Sequence, residues 1–124
     1  MRCPCHHPTV SRPLSVRERA TLDLLLSVDF PGAEALREQA LSVIAEDGEG
    51  MVVGLLVDEG LPTAQVVGRT PVQAVVDGDG YDGGLLLLVD DGQLSALEYW
   101  WVTEEMPAVF PPLSAVGKPI VTTK

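Results

Sequence analysis

Cys3, Cys5, His6 and His7 stand within five positions and include every cysteine and histidine of the chain. Thiolate and imidazole are zinc ligands, but a zinc site draws its ligand pairs from separate elements so that folding closes the tetrahedron. No second pair exists here. The cluster therefore reads as part of an N-terminal arm with adventitious metal affinity, and neither a metal site nor a cofactor is expected. The same count removes Ser/His/Asp catalysis, because no histidine lies within the folded region. Asp77-Gly78-Asp79-Gly80-Tyr81-Asp82-Gly83 has the outline of a calcium loop. That loop needs Asp or Asn fifth, Gly sixth and a bidentate Glu twelfth, where this chain has Tyr81, Asp82 and Leu88. It reads as a glycine-rich turn. Its glycines also lack the strand-to-helix context and the lysine of a phosphate cradle.

Carboxylate pairs occur at Asp58-Glu59, Asp90-Asp91 and Glu104-Glu105, all at turns or strand ends where charge is solvated. Glu98 differs, lying mid-strand among aromatics, a setting that can suit a carboxyl to acid–base work. In that reading it occupies a pocket between helices and sheet, with Arg37 or Arg69 near. The simpler reading is an outward-facing strand residue. Tyr99-Trp100-Trp101 is the strongest candidate for a functional surface. Aromatics dominate interface hot spots, while strand tryptophans commonly serve the core. Successive strand residues point to opposite faces, so one tryptophan belongs to the core and the other is free for contact. The candidate partner-binding residues are Glu98, Tyr99, Trp100 and Trp101; no catalytic residue is expected.

These residues are positioned by the stretch Gly83–Thr103, in which two apolar runs flank Asp91-Gly92, a strong hairpin signal. A two-residue turn pairs Asp90 with Gln93 and Val89 with Leu94. Strict alternation would then separate Leu94 from Leu97, so a β-bulge at Ser95-Ala96 is predicted. Upstream, residues 1–14 form an arm with prolines 4, 8 and 13. Ser15-Val16-Arg17-Glu18 fits a capping box, and Leu22, Leu25 and Leu26 stripe one face of a helix that ends near Val28. Asp29-Phe30-Pro31 links to a second helix, with Pro31 in its first turn. Ala33, Leu36 and Ala40 form its apolar side, while Glu34, Arg37 and Glu38 face water. Strands are predicted at 41–45, 51–57 and 72–77, the first two antiparallel, with a loop over 58–70 containing a short extended piece at 65–67. Residues 107–124, with prolines 107, 111, 112 and 119, form a tail or pack over a sheet edge.

The chain is 124 residues long and carries a net charge of −10. Residues 1–20 hold four arginines and one glutamate, so the remainder is more acidic still. Such a domain repels phosphate backbones, which disfavours nucleic acid, and it suits solubility or a basic protein partner. No apolar run approaches the roughly 20 residues of a membrane span. No secretory h-region is visible, so the expected setting is cytoplasmic. A dimer through a free edge strand is compatible with the pattern.

LSVRERATLDLLLSVDFPGAEALREQ (14–39) and GGLLLLVDDGQLSALEYWW (83–101) resemble a group of small uncharacterised actinobacterial proteins. Their plan combines "DFPG" and "LREQ" helices with a C-terminal "DGxLSxLE" hairpin. The resemblance implies the order of the elements and a bacterial source, and carries over no catalytic residue or metal site. The expected fold is α+β, with two N-terminal helices on one face of a four- to five-stranded antiparallel sheet in a single domain over 15–106. The expected function is a small acidic interaction module, immunity-like in one version. A ligand-binding or enzymatic site at Glu98 is the alternative.

Overall fold

The computed structural model describes residues 11–48, 51–66, 68–78 and 80–122. The capping box is present: Glu18 N–H donates to Ser15 Oγ, and Ser15 N–H donates to the Glu18 carboxylate. It starts α1 (Val16–Leu25), which buries Thr21, Leu22 and Leu25. The helix stops short of Val28. The Arg37 guanidinium takes the Leu26 and Val28 carbonyls at 2.7 and 2.9 Å, holding the chain in a turn there. Arg37 thus ties the two helices together while its side chain stays 39% exposed.

Helix α2 (Ala33–Ala40) starts after Gly32, not at Pro31. Gly32 has a φ of +92°, and a side chain there would meet Val66 Cγ1 at 2.8 Å and Gln65 O at 2.9 Å. Glycine is required at this position both for its backbone and for the space. The helix ends at Ala40, although Val43 and Ile44 continue its stripe; these two are β-branched and favour a strand. A turn through Leu41 and Ser42, closed by their N–H groups on Glu38 O and Gln39 O, delays the next strand. It runs over Ile44–Asp47 rather than 41–45.

The sheet contains β1 (Ser11–Arg12), β2 (Ile44–Asp47), β3 (Val52–Leu56), β4 (Val72–Gly78), β5 (Tyr81–Asp90), β6 (Gln93–Trp101) and β7 (Ile120–Val121). All neighbours are antiparallel, in the order β1-β2-β3-β6-β5-β4-β7. The expectation of four to five strands is therefore corrected to seven. The additions, β1 and β7, each have two residues, too few to show a period, and they come from segments read as an arm and a tail. Their flanking prolines do no harm, because an edge strand has N–H groups to spare. The C-terminal segment packs over an edge: Gly117 and Thr122 donate to Val75 O and Pro71 O, and Phe110 and Ala115 are buried.

The hairpin turn has positive φ at both Asp91 and Gly92, the twist-matched type. Asp90 pairs with Gln93 and Val89 with Leu94, while Leu88 pairs with Ala96. Ser95 is the extra residue of the predicted bulge, and it lets Leu94 and Leu97 both enter the core. Helices α1 and α2 and the C-terminal segment cover one sheet face, burying Ala45, Val53, Val72, Val76, Leu85, Leu87, Leu97 and Tyr99.

Candidate functional site

On strands β2 to β6, the residues alternating with that core form the opposite face. Ile44 lies directly opposite Leu56, Val52 opposite Glu98 and Glu98 opposite Leu86. Leu88 lies opposite Ala96, and Trp100 opposite Gly84, which in turn faces Val75. Gln73 pairs with Ile120 on β7. No helix lies over this face among the described residues, and it stays apolar: Val75 is 56% exposed, Trp100 45%, and Ile44, Leu56 and Ile120 are exposed as well. An open apolar surface of this kind marks an interaction site more often than a neutral one.

The charge on this face has one sign. Its strand residues include Glu46, Asp77, Asp82, Asp90 and Glu98, and no Lys or Arg. At the hairpin end Arg69 pairs with Asp90 at 2.8 Å. That bond, with a second from Ser95, holds the Asp90 carboxyl below the usual carboxylate range. Among the described residues no cation pairs with Glu46, Asp77, Asp82 or Glu98. Asp77 and Asp82 are direct cross-strand partners, an arrangement that is itself destabilising.

The residues singled out from the sequence divide between the two faces. Trp100 lies across Gly84, where a methyl group would sit 2.5 Å from its Cε2, Cζ2 and Nε1. Glu98 shares that face, with Val52 and Leu86 beside it. It is therefore not between helices and sheet, and Arg37 and Arg69 are bonded elsewhere. Trp101 is half-buried against the core. Tyr99 is 1% exposed, so it cannot itself form a contact surface. Its hydroxyl bonds to the backbone of Asp82, its ring stands between Tyr81 and Phe110, and burial raises its pKa. Cys3, Cys5, His6 and His7 lie outside the described residues. Among the described residues no group of three or more His, Cys, Asp or Glu is placed to hold a metal ion.

Besides Thr21, whose buried hydroxyl has no hydrogen-bond partner among the described residues, two polar side chains are buried. Gln39 is fully buried: its amide donates to Pro62 O and Gly92 O, and its carbonyl oxygen accepts from Leu94 N–H at 2.9 Å. It joins α2, the 58–70 loop and the hairpin turn. Glu18 is the other. Burial alone would raise its pKa, but bonds from Arg12 and Ser15 outweigh that and hold it below the ordinary value. The signal for both was spacing: Gln39 falls three residues after Leu36, and Glu18 four before Leu22, each inside an apolar stripe. A cleft of about 220 Å³ beside Glu18 is lined by Arg12, Asp47, Met51 and Phe110. Arg12 spends all five of its donors on Pro13 O, Glu18 and Asp47. None is left for a ligand anion, so the cluster acts as a clasp holding β1 to α1.

No helix among the described residues is long and apolar enough to cross a membrane. No protein-family model, curated protein or solved structure matches the chain.

Proposed function

We propose that the protein is a non-enzymatic interaction module whose uncovered sheet face binds a basic protein. The observation that carries this is an apolar sheet face with carboxylates as its only strand charges. Apolar burial would supply the affinity, and charge would select the partner and speed the encounter. Face-to-face pairing of two copies would oppose carboxylate to carboxylate, so a homodimer through this face is disfavoured. Among the described residues both sheet edges are capped by two-residue strands, which leaves little ladder for strand addition. Neutralisation of a basic toxin, in the manner of an immunity protein, is one specific version and rests on charge alone. Membership of the actinobacterial group that the "DFPG…LREQ" and "DGxLSxLE" stretches resemble is part of the same proposal.

The test is affinity capture from host lysate, followed by titration of the purified partner against wild type, Trp100→Ala and Val75→Ser, each checked for folding. The expected result is one basic partner, bound less tightly at higher salt, with affinity reduced about tenfold by Trp100→Ala. A partner bound equally well by all three chains, or none in any lane, would overturn the proposal.

A further inference from the structure

We infer that the Trp100 end of the open face seats a guanidinium, an arginine side chain presented by the partner polypeptide. This rests on the reading of that face as a docking surface and names the chemistry at its centre. Trp100 is the largest side chain exposed there, and its ring occupies the space over Gly84 that a side chain would otherwise fill. A ring already packed on the sheet loses little further freedom when a partner stacks on it, and nearly half of the residue is still open to solvent.

The surroundings specify a cation. Glu98 precedes Trp100 by two residues on β6 and shares its face; Asp82 stands in the same relation to Gly84 on β5, with Asp77 directly across from it. Each carboxylate thus lies within two ladder positions of the ring or of the glycine beneath it. No described arginine or lysine pairs with any of the three. An exposed π face beside unpaired carboxylates attracts a positive charge. Guanidinium fits better than ammonium. It is planar and weakly hydrated, so it stacks on the indole while its fork of N–H groups reaches a carboxylate, whereas the ammonium of lysine is compact and holds its water. Such a cation would also relieve the repulsion between Asp77 and Asp82.

Three blocked pentapeptides identical except for a central arginine, lysine or citrulline are titrated into the ¹⁵N-labelled full chain. The indole N–H signals are assigned through Trp100→Phe and Trp101→Phe. The arginine peptide is expected to shift the Trp100 signal saturably and leave Trp101 in place. Citrulline, which keeps the shape and lacks the charge, should bind about tenfold more weakly, with lysine between. Asp82→Asn should weaken the arginine peptide and leave citrulline unchanged. Equal binding of arginine and citrulline, or no Trp100 shift with arginine at millimolar concentration, would overturn the inference. If the captured partner nevertheless loses affinity on Trp100→Ala, the guanidinium assignment falls and the docking face stands. If the partner ignores Trp100, both fall.

Discussion

The two faces of one sheet, built from the same strands, are finished in opposite ways. On the covered side Leu85, Leu87 and Val89 of β5 are buried, and Gln39 and Tyr99, two polar groups that enter, have bonded partners. On the open side aliphatics share the surface with carboxylates, of which only Asp90 has a cation partner among the described residues, and a tryptophan lies on a bare glycine. A solvated sheet face is ordinarily polar, so hydrophobicity here answers to something other than the core. The covered face is organised for stability, and contact is the role proposed for the open face.

Adjacent residues of β5 point to opposite faces and should respond very differently to truncation. Leu87→Ala on the covered side should cost about 3 kcal/mol in denaturant unfolding, and Leu88→Ala on the open side about 1 kcal/mol or less. Equal losses would mean that the open face is also a structural core. Gln39→Leu should cost about 2 to 3 kcal/mol, because Leu94 N–H and Pro62 O lose their partner. Glu18→Gln should cost about 2 kcal/mol, with a characteristic pH dependence. The folded-state pKa of Glu18 is depressed, so its contribution is complete above the unfolded-state carboxylate pKa and disappears as pH falls through the folded value. Wild type should therefore lose its advantage over Glu18→Gln in acid; an advantage that persists there would sink the clasp. Gly84→Ala should cost about 1 kcal/mol by overpacking and displace the Trp100 ring, read as a shifted fluorescence maximum and weakened partner binding. An unmoved Trp100 spectrum would show that the ring does not rest on Gly84.

Much of the covered face was legible from sequence. Asp91-Gly92 set the hairpin register, and the need to bury both Leu94 and Leu97 revealed the bulge. Ser15 and Glu18 announced the first helix. The edges were not legible, since two-residue strands carry no periodicity and their pairing depends on distant partners. The reading of the second helix turns Arg37 to water and assigns Gln39 no role, so neither shows as a tie, because a helical wheel shows the direction of a residue and not what waits there. Both belong to "LREQ", and Gly92 and Leu94, which Gln39 holds, belong to "DGxLSxLE". The stretches that carry the resemblance are thus largely fold-specifying ties. The open face was half visible: consecutive tryptophans required one to point away from the core, but the continuity of the apolar surface emerges only when five strands are laid in register.

The placement of β7 bears on how the protein is made. β4, with apolar Val72, Val75 and Val76, emerges from the ribosome well before Ile120 and Val121 arrive to close its outer side. Until then a nascent chain presents a bare ladder of N–H and C=O groups to its neighbours on the same message. Stalled or prematurely terminated products should therefore be the aggregating and rapidly degraded species. Expression yield should depend on residues near 120 far more than their exposed, two-residue strand suggests.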